Sequence, residues 1–244
     1  MVKSFVAKAL ESKYDLYKKV GRRVWNIEEF SHSQNCEDII LDRLLNKISA
    51  DDQHKGFYVD IGAHHPVRFS NTFRFYEQGW KGINVDPLPH VMDVFNKYRP
   101  RDINLNIGCG EDVGKLSYYS FEEPAYNTLN EDVAKRLLND HTTRLKEKIN
   151  VDVLPLSIIF AKHLGKNEID FLDLDVESYE IHVLKGNDWN KYRPKIIVME
   201  SWTDGIADIR DVFNDEAITY LNTKGYRVVS RAFNAVFLVD EKIM

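Results

Sequence analysis

The sequence predicts an α/β fold: a doubly wound, mostly parallel seven-stranded sheet closed by a C-terminal antiparallel hairpin. Three observations point there. Short β-branched runs recur along the chain, each ending in a polar or turn residue. Helix-length segments separate several of them, the pattern of right-handed strand–helix–strand crossovers. The tail "GYRVVSRAFNAVFLVD" then reads as two strands joined by an Asn-Ala turn.

Taken in order, residues 1–30 form an N-terminal appendage. Within it "KSFVAKALESKYDLYKK" sets Phe5, Val6, Leu10, Tyr14 and Tyr17 on one side of an accessory helix. Its lysines would also suit a membrane surface or a neighbouring domain, and a homo-oligomer is equally compatible with the chain. The main domain covers residues 31–244. It begins with "SHSQNCEDIILDRLLNKI", in which Ser33 is expected to cap a helix carrying Glu37 and Asp38 in its first turn. Strands are expected at "GFYVDIG", "GINVDP", "INLNIG", "IDFLDLD" and "KIIVMES", with helices at "LPHVMDVFNKY" and "SYEIHVLKGND". Residues 111–150 break this rhythm and read as an insertion, its second part "EDVAKRLLNDHTTRLKEK" expected to be helical. Such insertions either cover substrates or are solvated excursions.

Composition narrows the function. The 244-residue chain has net charge −5, without the basic field expected of a nucleic-acid partner. No membrane-length apolar run occurs, and the two cysteines, Cys36 and Cys109, form no zinc or disulfide pattern. A cytoplasmic protein working on small molecules is the expectation.

The stretch "GFYVDIGAHHPVRFSNTFRFYEQGWKGINVDPLPH" carries the binding signal. Gly62 ends the first strand, where a turn lets a ligand approach the backbone, and Asp86 ends the second, where a carboxylate can accept from ribose hydroxyls. The single glycine does not make the G-x-G-x-x-G cradle of a dinucleotide, and no P-loop occurs. A nucleoside without phosphates fits, and S-adenosylmethionine is the commonest such cosubstrate, with Asp60 facing its ammonium end. Asp and Gly at strand ends also make ordinary turns.

Together with "SQNCEDIIL", "IDFLDLDVESYEIHVLKGND" and "KIIVMES", this stretch resembles the FkbM family of S-adenosylmethionine-dependent methyltransferases over roughly residues 31–201. The resemblance implies a class I methyltransferase (Rossmann-like) fold and O-methylation of a sugar or glycoconjugate. It implies a cofactor site lined by Asp60, Gly62 and Asp86, approached by Gln34 and Asn71. Cys109, after the third strand, would wall the adenine. The chain departs from the family at "DVES", where Asp-Val-Glu-Gly is common, and at "GAHHP", where Gly-Ala-Asn-x-Gly is common.

Methyl transfer to a hydroxyl needs a base, a metal that acidifies the hydroxyl, or both. Asp175 and Glu177 at the fourth strand end and Glu200 at the fifth are the candidates. A looser similarity to metal-dependent sugar O-methyltransferases gives Asp175 and Glu200 the role of Mg²⁺ or Mn²⁺ ligands and Glu177 that of base. Each has a plainer alternative: Glu177 as a helix cap, Asp173 as a structural group deeper in the strand, and His64, a second candidate base, as a solvated loop residue. Tyr126, Asn127 and Thr128 suit either a sugar contact or a turn. The rival functions are a methyltransferase for another small-molecule, lipid or protein acceptor, and a nucleoside-binding module without turnover.

Overall fold

A computed structural model describes residues 29–49, 54–201 and 208–244. The expected helix at 3–19 lies outside them. Seven strands form one sheet: β1 (Phe57–Ile61), β2 (Lys81–Val85), β3 (Ile103–Leu105), β7 (Phe171–Leu174), β8 (Ile196–Glu200), β9 (Tyr226–Ala232) and β10 (Ala235–Asp240). Their order is β3-β2-β1-β7-β8-β10-β9, with only β10 antiparallel to its neighbours. Winding reverses between β1 and β7, which pair in parallel with Asp60 opposite Asp173. That reversal is where open α/β sheets bind ligands.

The helices divide between the two faces. Helices α5 (Leu156–His163), α6 (Glu180–Lys185) and α7 (Glu216–Thr223) send Leu156, Leu184 and Ile218 onto Val59, Ile61, Leu172 and Leu174. On the other face, α1 (Glu37–Ile48) and α2 (Phe73–Glu77) bury Leu41, Leu45 and Phe75 against Tyr58, Phe171, Ile196 and Val198. Strand side chains alternate between faces, so this second row continues into Asp60, Asp173 and Glu200 at the carboxyl ends. Carboxylates thus succeed aromatic and aliphatic groups on three adjacent strands.

Four expectations need correction. The third expected strand divides: Ile103–Leu105 stays in the main sheet, whereas β4 (Gly108–Cys109) leaves it for a second sheet with β5 (Gly114–Phe121) and β6 (Leu145–Leu154), ordered β4-β6-β5. The expected helix over 131–148 ends early. Helix α4 (Glu131–Asn139) gives way to β6 (Leu145–Leu154), which pairs with β5 (Gly114–Phe121). The two-residue period of Ile149, Val151 and Val153 is the strand signal, obscured by the charges before it. At α1 the N-cap residue is Cys36, in left-handed backbone, although Ser33 Oγ still accepts from the Asp38 N–H at 3.0 Å. The final hairpin turns on Phe233-Asn234 rather than Asn-Ala, with Phe233 at φ 51°.

His32–Met244 packs as one compact unit. Among the described residues, no helix is long and apolar enough to cross a membrane.

Candidate active site

Asp86 directly follows β2 as a buried carboxylate. Its Oδ1 accepts from the Leu88 N–H at 2.8 Å and its Oδ2 from the His64 N–H at 3.2 Å. Burial is the main reason its pKa rises to about 6, against the pull of those two N–H groups. A carboxylate offers about four acceptor sites, so capacity remains for ribose hydroxyls. Gly62, at φ 88°, is also required by its protein neighbours: a Cβ there would stand 1.7 Å from the Asp175 carbonyl oxygen in the chain after β7.

Asp60 and Asp173 face each other across the reversal of winding, and each is held by a loop side chain. Thr72 donates to Asp60 at 2.6 Å, and the Asn71 amide donates to Asp173 at 3.0 Å. Asn71 therefore serves a site carboxylate. Behind Thr72 lies Arg99, fully buried, whose Nη1 donates to Thr72 Oγ1 at 2.9 Å and whose Nε pairs with Asp102 at 2.9 Å. Sequence reasoning missed Arg99, because an arginine near a helix end is ordinarily a surface residue. It also missed Glu37, a buried α1 acid whose charge acts on Asp173.

The Gln34 side chain is exposed, but its segment is anchored to the loop between β1 and α2: the Ser70 N–H donates to the His32 carbonyl at 3.1 Å. Cys109 is buried in the core that also holds Val85 and Leu174, and burial pushes its thiol pKa up. It is an apolar wall at the strand ends and not an ionised group.

Asp175, Glu177 and Glu200 converge, their closest carboxylate oxygens all within 4.8 Å of one another. Glu177 does not cap α6, whose N-cap residue is Tyr179 and has no side-chain cap. Lost hydration, then repulsion from Glu200 and Glu180, raises the Glu177 pKa to about 8. Asp175 keeps an open side to solvent, yet its pKa too is pushed well up, by lost hydration of its carboxylate and then by Glu200 and Glu177. Glu180, not foreseen, reaches about 7 through burial, though its Oε1 accepts from the Val176 N–H at 3.3 Å. His64 stands apart from this cluster. Its pKa is lowered by lost hydration and then by His65 and Arg68.

The backbone carrying Glu177 is held by the insertion. Glu177 and Ser178 both have positive φ, 52° and 67°. Thr128 Oγ1 donates to the Glu177 carbonyl and Asn130 Nδ2 to the Ser178 carbonyl, each at 2.8 Å. Thr128 and Asn127 are thus structural; the Asn127 Oδ1 accepts from the Phe121 N–H at 2.8 Å, and Tyr126 packs with Tyr119 and Phe121.

The donor set fits a cationic nucleoside. Six acidic side chains, Asp60, Asp86, Asp173, Asp175, Glu177 and Glu200, gather at the carboxyl ends of the strands; a bound cation would favour their ionised forms, whereas a pyrophosphate would oppose them. Three convergent carboxylates also match the oxygen preference of Mg²⁺ or Mn²⁺. A cleft of about 840 Å³ opens at the opposite strand ends and contains none of these groups. There Lys195 pairs with Asp170 at 2.8 Å, and the His54 ring lies 3.0 Å from the same carboxylate.

A family profile described as the methyltransferase FkbM domain matches residues 60–228. Among solved structures, that of methyltransferase FkbM from Methylobacillus flagellatus KT is similar at 12% identity and TM-score 0.43. The alignment covers 84% of this chain and 59% of that one, so this chain spans less than two thirds of its length. No curated protein matches the chain.

Proposed function

Because the chain belongs to the FkbM methyltransferase family, we propose that it transfers a methyl group from S-adenosylmethionine to a hydroxyl of a sugar or glycoconjugate. The observation that carries this reading is the convergence of Asp175, Glu177 and Glu200 at the carboxyl ends of β7 and β8, next to β1 in the sheet. S-adenosylmethionine supplies, when bound, an electrophilic methyl on a sulfonium. Asp86 holds the ribose, and Asp60 and Asp173 face the amino-acid end, where Asn71 and Thr72 keep the two acids apart and hydrogen-bonded.

Glu177 is the base. In its ionised form it takes the proton from the acceptor hydroxyl; the acceptor oxygen forms its bond to the methyl carbon as the carbon–sulfur bond breaks. Atoms and charge balance: the products are a methyl ether, a protonated Glu177 and neutral S-adenosylhomocysteine. Holding one hydroxyl between Glu177 and the methyl contributes alignment as well as proton removal. Asp175 and Glu200 would hold Mg²⁺ or Mn²⁺, which favours ionised carboxylates in the cluster and acidifies a chelated sugar hydroxyl. Without that charge, Glu177, with a pKa of about 8, is mostly protonated at neutral pH.

The test is incubation with S-adenosylmethionine and separate pools of sugars, glycans, lipids and peptides, followed by mass spectrometry. The proposal expects a single added methyl in the sugar or glycan pool, lost in Glu177→Gln. Methylation confined to lipids or peptides would overturn the acceptor class.

A further inference from the structure

Arg99 follows α3 (Pro89–Tyr98) and is fully buried, a costly place for a guanidinium unless its N–H groups find acceptors. Its partners lie on two sides. On one, Nε donates to Asp102 Oδ2 at 2.9 Å, and Nη2 donates to the Tyr58 hydroxyl at 2.7 Å, which passes its own hydrogen to the same Asp102 oxygen at 2.7 Å. On the other, Nη1 donates to Thr72 Oγ1 at 2.9 Å, and Thr72 donates to Asp60 Oδ2 at 2.6 Å.

Chemistry fixes the direction of these bonds. A guanidinium has no acceptor, so Thr72 Oγ1 receives from Arg99 and has one hydrogen to give. Two oxygens lie within its reach, Asp60 Oδ2 at 2.6 Å and Ser70 Oγ at 3.2 Å. Ser70 Oγ already accepts from the Phe73 N–H at 3.1 Å, and the carboxylate is both nearer and the stronger acceptor. The hydrogen goes to Asp60. Thr72 is also the N-cap residue of α2, but its side chain makes no capping bond, so the hydroxyl has no competing duty in the helix. Asp60 Oδ2 is thus held as an acceptor, while no hydrogen bond from the described residues reaches Oδ1.

The charges point the same way. One guanidinium stands between Asp102 and the Thr72–Asp60 pair, and Asp173, opposite Asp60 in the sheet, is held only by the neutral Asn71 amide at 3.0 Å. An ammonium seated on Asp60 Oδ1 would supply positive charge that this buried group lacks.

We propose that Arg99 is a positioning residue for the amino-acid end of S-adenosylmethionine: by ordering the Thr72 hydroxyl it turns Asp60 so that Oδ1 accepts from the α-ammonium. A side chain buried behind the site thereby orients one that lines it. This rests on the assignment of S-adenosylmethionine made above.

The experiment is calorimetric titration with S-adenosylhomocysteine and with 5′-methylthioadenosine, which keeps the nucleoside and the thioether but lacks the amino-acid end. Wild type should bind S-adenosylhomocysteine more tightly. Thr72→Val keeps the shape and should weaken S-adenosylhomocysteine about tenfold, the range for a hydrogen bond to a charged group, with no change for methylthioadenosine. Thr72→Ser keeps the hydroxyl and should recover the affinity that Thr72→Val loses. Arg99→Lys keeps a charge beside Asp102 but not the fork of donors; it should weaken S-adenosylhomocysteine alone and add no further loss in the Thr72→Val background. No loss in Thr72→Val, equal losses on both ligands, an equal loss in Thr72→Ser, or additive losses in the double variant overturns the relay. If Arg99→Lys does not fold, the two Thr72 variants decide by themselves. Binding of neither ligand by the wild type overturns the cofactor reading as well, which separates the two failures.

Discussion

Thr128 Oγ1 donates to the carbonyl oxygen of Glu177 at 2.8 Å, tying a turn of the insertion to the backbone of the candidate base. Thr128 is almost completely buried, and its Oγ1 also accepts from the Asn130 N–H at 2.9 Å. The loop that aims Glu177 at Asp175 and Glu200 is thus set by residues some fifty positions earlier in the chain, as the sequence separation of 49 records.

Thr128→Val keeps the shape and removes both hydrogen-bonding functions. It should lower stability by about 1–3 kcal/mol, because the Asn130 N–H and the Glu177 carbonyl lose a partner. Turnover should fall with S-adenosylhomocysteine affinity retained. Urea unfolding and calorimetry measure the two; unchanged turnover would disconnect the insertion from the base.

Ser178 occupies the position where the family commonly has glycine, at φ 67°. The left-handed region is unfavourable for a side chain by about 1–2 kcal/mol, of which glycine recovers part and loses part to chain entropy. Ser178→Gly should therefore raise stability by about 0.5–1 kcal/mol. A drop in stability would show that the Ser178 side chain makes up for its strained backbone.

The acidic cluster gives a pH dependence with a definite sign. Glu177, at about 8, and Glu180, at about 7, both lie above the ordinary 4.5. A carboxylate whose folded pKa is raised favours the fold at low pH, and that advantage is lost as pH rises from about 4.5 toward the folded value. Melting temperature should therefore decline between pH 5 and 8, and Glu177→Gln should flatten the decline. Turnover runs the other way, rising with ionisation of Glu177; added Mg²⁺ or Mn²⁺ should shift that rise to lower pH. An identical melting temperature across the range would contradict the repulsion described for the cluster.

Much of this arrangement is visible in the sequence, for reasons of period. Apolar runs ending in Asp60, Asp86, Asp175 and Glu200 announce both the parallel strands and the polar ends where a ligand sits. The convergence of Asp175, Glu177 and Glu200 follows from the adjacency of two strands. Gly62 is legible as a backbone requirement, but the Asp175 carbonyl that occupies its face comes from a distant segment. Arg99 is hidden for a similar reason: Asp102 is three residues away, but Tyr58 and Thr72 join them only in the folded chain. The charges preceding Ile149 imitate a surface helix, and only pairing with β5 makes that segment a strand.

The most direct test of the account is calorimetry of the intact chain with S-adenosylhomocysteine, NAD and the Asp86→Ala variant. The account predicts saturable binding of S-adenosylhomocysteine by the wild type, no comparable binding of NAD, and a loss of about 1–3 kcal/mol in the variant as the buried acceptor is removed. Preference for NAD, or equal affinity of wild type and Asp86→Ala for S-adenosylhomocysteine, would contradict it.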